Sequence, residues 1–185
     1  MFLIQIKIIT NQKKFRKMKK IVKFLAIAVV MLGFSSGIFA QTTASASASA
    51  VIIAPLSIVQ TADLHFGVIW RGTTSGVVTV TPANVRSATG GVTLSGLAPT
   101  NTVASFTISG EPTRVITITL PATDVTITDG TNNMTVNNFQ STPAAGAYTL
   151  AGATTTLNVG ADLNVGANQA SGTYTGTFNV SVNYN

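Results

Sequence analysis

Gly172-Thr-Tyr-Thr-Gly-Thr-Phe-Asn-Val-Ser-Val-Asn-Tyr-Asn185 decides the fold class: Tyr174, Phe178, Val180, Val182 and Tyr184 share one parity, and Thr, Asn and Ser fill the other. Successive side chains of a strand point to opposite faces, so a two-residue period predicts a half-buried β-strand, here over residues 173–184. One face is apolar enough to join a core and the other is suited to water.

The same grammar runs backwards through residues 41–185. Short runs rich in Val, Ile, Thr and aromatics occupy 43–53, 56–60, 64–69, 76–81, 91–97, 103–109, 114–120, 125–128, 134–139, 148–150, 155–159 and 163–165. Such side chains suit a pleated, half-buried surface. Turn chemistry separates the runs at Arg71-Gly72, Thr89-Gly90-Gly91, Gly110-Glu111-Pro112, Asp129-Gly130, Pro143-Ala144-Ala145-Gly146 and Ala151-Gly152. No window after Ala40 carries a 3.6-residue apolar stripe. The expectation is an all-β chain folded as an immunoglobulin-like or pilin-like β-sandwich over residues 55–185. A near-repeat, Leu157-Asn-Val-Gly-Ala-Asp then Leu163-Asn-Val-Gly-Ala-Asn168, has the six-residue period of a parallel β-helix. Two copies cannot bury a continuous solenoid core, so the repeat is read as one strand bent at Gly160-Ala161.

Residues 1–40 have a different composition. Seven lysines and Arg16 precede the apolar run 24–34, and Ser35-Ser36-Gly37-Ile38-Phe39-Ala40 follows. A basic, then apolar, then small-residue series predicts a signal peptide cleaved after Ala40, and Met18-Lys19-Lys20 is by itself a complete signal start. The apolar run is shorter than the roughly 20 residues that cross a bilayer, so no stable transmembrane anchor is expected. Export to the periplasm, cell surface or medium follows. Without this segment the formal charge of +6 disappears. Residues 41–185 hold three arginines against five acids, a net charge of −2, and no lysine. No basic face remains for phosphates, so nucleic acid is not an expected partner. The remaining 145 residues suit one domain, able to bury about 68–70% of its unfolded surface. There is no cysteine, hence no disulfide, thiolate metal site or lipoprotein anchor.

Directly after the cleavage site, residues 41–54 form an Ala/Ser extension. Ala44, Ala46, Ala48 and Ala50 alternate with serines before Val51, Ile52 and Ile53. Two readings stand: a flexible linker, since small side chains specify register weakly, or a strand donated to a neighbour's open sheet edge. In the second, the subunit interface would comprise those alanines, Val51, Ile52 and Ile53 on one copy, and Phe178, Val180, Val182 and Tyr184 of the closing strand on the next. Strand-exchanging surface subunits end in such a strand, which makes a structural subunit the leading expectation.

Ala62-Asp-Leu-His-Phe-Gly-Val-Ile69, Ile116-Thr-Ile-Thr-Leu-Pro121, Met134-Thr-Val-Asn-Asn-Phe139, Leu157-Asn-Val-Gly160 and Gly172-Thr-Tyr-Thr-Gly-Thr-Phe178 together resemble the uncharacterised bacterial family called domain of unknown function 4402. More distantly, the Leu-x-Phe-Gly near the start and the alternating ending resemble spore-coat protein U and archaic chaperone–usher pilins. That second resemblance implies a sandwich lacking its final strand, the gap filled by the next subunit's extension. Copies of the chain or related subunits, and a periplasmic chaperone, are the implied partners. The chain departs from such pilins in having no cysteine pair and few bulky residues in its extension.

Catalysis finds little material, and no enzyme activity or cofactor is expected. His65 is the only histidine, and alternation places it with Asp63 on the outward face, so substituting either should leave fold and function intact. No Gly-x-Ser-x-Gly elbow accompanies them. Asp129-Gly130-Thr-Asn-Asn133 lacks the spacing and closing Glu of a calcium loop and reads as a turn. The rival functional class is a self-contained carbohydrate- or protein-binding domain, with Trp70 and Arg71 as the ligand contact. The area a Trp can bury favours the core for Trp70, and exposure would shift weight to adhesion to a surface glycan.

Overall fold

In the computed structural model, residues 18–19 and 42–185 are described. Apart from Met18 and Lys19, the signal peptide expected over residues 1–40 lies outside the described residues, as does Gln41. The named elements are all strands: β1 (Ser57–Ala62), β2 (Ile69–Trp70), β3 (Gly76–Val80), β4 (Arg86–Gly90), β5 (Thr93–Leu94), β6 (Ala104–Ser109), β7 (Val115–Thr119), β8 (Val125–Thr128), β9 (Asn133–Thr142), β10 (Gly146–Thr149), β11 (Thr154–Val165) and β12 (Ser181–Tyr184). Residues 51–185 are all-β, in curled antiparallel sheets.

The twelve-residue β11 organises the molecule. Asn158 lies between Ser105 of β6 and Thr142 of β9, and Asp162 lies between Thr79 of β3 and Asn137 of β9. So β6 and β3 follow one another along one edge of β11, and β9 runs along the other. β1 extends the sheet beyond β6, β4 beyond β3 and β8 beyond β9. The pairing of β11 with β9 slips between Gly160 and Asp162, which is where the sequence places the bend. Gly160 is required there, since a Cβ would collide with the backbone of Val80, Thr81 and Pro82 as β3 passes. Every ladder is antiparallel, which removes the parallel β-helix alternative.

Alternation along these strands makes two cores. Ile108 of β6 and Leu157 and Val159 of β11 meet Ile116 and Ile118 of a three-stranded sheet ordered β10-β7-β12. This first core lies between two hydrogen-bonded sheets. In the second, Val78 and Val80 of β3, Val136 of β9 and Leu163 and Val165 of β11 pack with Phe66 and Val92. Polar pairs fasten the outer face: Thr79 and Asn138 bond the Asp162 carboxylate at 2.6 and 2.8 Å, and Ser105 donates to Asn158 at 2.8 Å. Cross-strand pairs of this kind each contribute about 0.2–1 kcal/mol.

Several expectations need correction. Residues 173–184 are a strand only over Ser181–Tyr184, with one further bridge from Thr175 to Thr128. Burial still alternates from Phe178 to Tyr184, so the inward face was legible, but a strand also needs a neighbour and residues 176–180 have none. Residues 64–69 are likewise mostly irregular, interrupted by Gly67 at φ +77°. Arg86-Ser-Ala-Thr-Gly90, too polar to read as a strand, pairs β3 along its full length. Val51–Asn185 forms one compact unit. In the other unit, residues 42–50 form no strand and are exposed, so the run 43–53 is not a strand in its own chain.

Candidate functional site

A cleft of about 910 Å³ lies between two stretches distant in sequence. One wall is the segment from Gln60 to Arg71, the other the segment from Gln169 to Phe178. Its floor is apolar: Val125 and Ile127 of β8, Met134 and Val136 of β9, and Leu163 and Val165 of β11. These are the inward residues of the second core, so the floor exists because that core has a sheet on one side and only chain segments on the other.

The walls run antiparallel and are bridged directly at one end only. Beyond the far end, outside the cleft, Tyr184 Oη donates to Ala54 O at 3.0 Å and accepts the Glu111 amide at 2.6 Å, while the Ala54 amide donates to Glu111 Oε2 at 2.9 Å. The Glu111 carboxylate thus serves the chain entry. At the other end Arg71 Nη1 donates to Gln169 O at 2.6 Å and Asn168 N donates to Gly72 O at 2.9 Å. Gln169 Nε2 reaches Tyr174 Oη, which donates to Ala170 O, both at 2.9 Å. Between these ends no hydrogen bond joins the walls among the described residues.

Each wall is held from behind. His65 exchanges both backbone hydrogen bonds with Thr102, and Thr175 with Thr128, all four at 2.9 Å. In an antiparallel ladder a residue's N–H and C=O point to one side and its neighbours' point to the other. Among the described residues the backbone groups of Tyr174 and Gly176, on either side of the Thr175 bridge, have no backbone hydrogen-bond partner. Arg86 is the strut of the first wall: its guanidinium donates to Phe66 O at 3.0 Å and to Ser95 O at 2.6 Å. It occupies the space a side chain at Gly67 would need. A charged donor on two carbonyls is worth more than a neutral one, and it fixes the irregular segment where no ladder does.

The cleft also places the residues marked in the sequence. Phe178 lines it and stacks against Phe139 with ring centroids 5.0 Å apart. Val180, Val182 and Tyr184 are half-buried and pack on the first core. Val51 is 80% exposed, Ile52 95% and Ile53 40%, and Ala44, Ala46, Ala48 and Ala50 are exposed. Trp70 is 59% exposed at the bridged end, beside Arg71, and not in the core that its size favoured. The two-residue β2 ends there, so nothing folds over the indole. Asp63 and His65 do not bond to each other. Asp63 accepts from Gln60 Nε2, and His65 Nδ1 accepts the Gly67 amide at 2.8 Å. Among the described residues no group of three or more His, Cys, Asp or Glu could hold a metal, and no helix is long and apolar enough to cross a membrane. Asp129, expected in a turn, caps the β8–β9 hairpin. The Asn132 backbone amide, then its side chain and the Thr131 amide, hold this carboxyl at about 2, below the ordinary 3.8.

Sequence reasoning missed the cleft, because its walls lie about a hundred residues apart and its depth comes from β8, β9 and β11 beneath. The one available signal was the apolar parity of Phe178 to Tyr184 beside a lone Leu-x-Phe. A family model described as Domain of unknown function (DUF4402) matches residues 56–184, which include both walls and the floor, and the chain belongs to that family. Among curated proteins and solved structures nothing matches significantly.

Proposed function

We propose that this chain is an exported structural subunit of a surface fibre, an immunoglobulin-like, pilin-like sandwich in which the cleft of one copy accepts residues 44–53 of the next. The cleft carries the reading: an apolar floor between two walls, one of which has backbone groups at Tyr174 and Gly176 without backbone partners among the described residues, is the complement of an extended strand. A lipid chain would leave those groups without partners. The extension is the matching half, with its three bulkiest residues unburied at home.

Polarity supports an open chain of subunits over a closed pair. The extension enters the domain at Ala54, where Glu111 and Tyr184 hold it, whereas the cleft begins at Gln60 and runs on to Arg71. Ala54 precedes Gln60 by six residues, about 20 Å for an extended chain. Donor and acceptor surfaces that differ and lie apart generate filaments unless the rotation closes. An uncovered apolar edge also invites aggregation, so a periplasmic chaperone is the partner that would hold the subunit before assembly. The basic, apolar and small-residue series ending at Ala40 supports export. The reading contains no catalytic step and no cofactor.

The test compares the exported protein with a chain starting at residue 55, by size exclusion and electron microscopy, with and without a peptide of residues 42–54. Fibres from the long form, absent from the short form and capped by the peptide, are expected. Stable, peptide-indifferent monomers from both would exclude strand exchange. One observation favours a second reading: the exposed Trp70 beside Arg71 suits a surface glycan or protein ligand. Trp fluorescence that shifts with soluble glycans, and a Trp70→Ala chain that loses that binding, would support it.

A further inference from the structure

The cleft accepts one face of a strand and leaves the other to solvent, and the extension has two unlike faces. We infer that the donated strand rests with Ala44, Ala46, Ala48, Ala50 and Ile52 on the neighbour's floor and Ser45, Ser47 and Ser49 outward, with Ile52 as its one bulky anchor. This rests on the strand-exchange reading and adds the register within it.

Three observations lead there. The walls are tied together at the Arg71 end, by Arg71 to Gln169, and no hydrogen bond joins them along the cleft among the described residues, so the opening is bounded at that end. Because the walls are antiparallel, the donated strand lies parallel to one and antiparallel to the other, with its side chains alternately down to the floor and up to water. The parity that faces down must be free of polar atoms, because Val125, Ile127, Met134, Val136, Leu163 and Val165 offer no hydrogen-bond partner from their side chains. Between residues 44 and 54 only the even positions meet that condition. The odd ones carry three serines, and a slip of one residue would press all three onto the floor.

Ile52 is the informative residue of the set. It is 95% exposed in its own subunit, so its side chain has no work there, while Ile53, of the other parity, is 40% exposed and partly covered at home. The alanines then act as spacers that let the backbone approach Tyr174 and Gly176, and Ile52 supplies the apolar volume.

An aspartate scan of the full chain reads the register directly, because residues 44–52 are exposed and their substitution does not threaten the fold. Ala46→Asp, Ala48→Asp and Ile52→Asp should each weaken assembly by ~100-fold or more, the effect of an unpaired charge held on an apolar surface. Ser45→Asp, Ser47→Asp and Ser49→Asp should change it by less than about tenfold, as rim charges do. Unchanged thermal melts of the isolated subunits check that folding is intact. Fibres from the unsubstituted chain with the opposite parity, or with no parity, would overturn the register while leaving strand exchange standing. Monomers from the unsubstituted chain would overturn strand exchange itself, and the register with it.

Discussion

The two cores share β11 yet close in different ways. Around Ile108, Ile116 and Leu157 two hydrogen-bonded sheets cover each other, and these side chains are fully buried. Around Phe66, Val136 and Leu163 one side is sheet and the other is two chain segments, the first held by its bridge to Thr102, the short β2–β5 pairing and Arg86, the second by its bridge to Thr128. The first core is finished and the second has a seam. Apolar alternation settles which side chains turn inward in both, but it does not supply a backbone partner, and where that partner is missing the core stays open along the cleft.

The largest effect should separate the cores by truncation. Leu157→Ala, enclosed on both sides, should cost about 4–5 kcal/mol, and Leu163→Ala on the cleft floor about 2–3, because a site open on one side collapses or admits water more easily. Urea denaturation of the two variants measures the difference, and equal losses would show that the cores are equally closed. Next comes the wall itself. Arg86→Met removes the donors to Phe66 and Ser95 and should cost about 2 kcal/mol, with hydrogen-exchange protection lost first at residues 64–68. Loss spread evenly over the domain would mean that Arg86 is not a strut of that wall.

The smallest effect lies at the hairpin behind the second wall. Asp129 titrates at about 2 when folded and near 3.8 when unfolded, because the charged form accepts the Asn132 and Thr131 hydrogen bonds. A depressed folded pKa means that the unfolded chain binds the proton first, so this stability is complete above about pH 4–5 and is lost as the pH falls toward 2. The stability gap between the native chain and Asp129→Asn should therefore shrink across that interval. A gap that stayed constant would assign the contribution to hydrogen-bond geometry alone.

The sequence carried the all-β class, the bounds of β8 and the bend in β11, because each depends on neighbours within a few residues. It was silent on β4, where Arg86-Ser-Ala-Thr-Gly90 has no apolar face and is a strand only because β3 lies beside it. It overstated residues 176–180, where the alternation is present and the neighbouring strand is not. Trp70 was placed inward by its size, but a side chain's area says what burial would contribute and not whether chain is available to cover it. The candidate site lay beyond local pattern altogether, since the cleft is the space left between segments that meet only after β11 has bent.

The claim that a second copy closes this seam has a direct measurement. The chain contains no cysteine, so any disulfide reports only the positions introduced. Mixing a Ser47→Cys chain with a Thr177→Cys chain under mild oxidation should yield a covalent heterodimer, because the extension of one copy would lie against the wall that carries Thr177 in the other. A Val115→Cys partner, exposed on β7 away from the cleft, should yield none. Cross-linking to Val115→Cys as efficient as to Thr177→Cys, or to neither, would contradict the account.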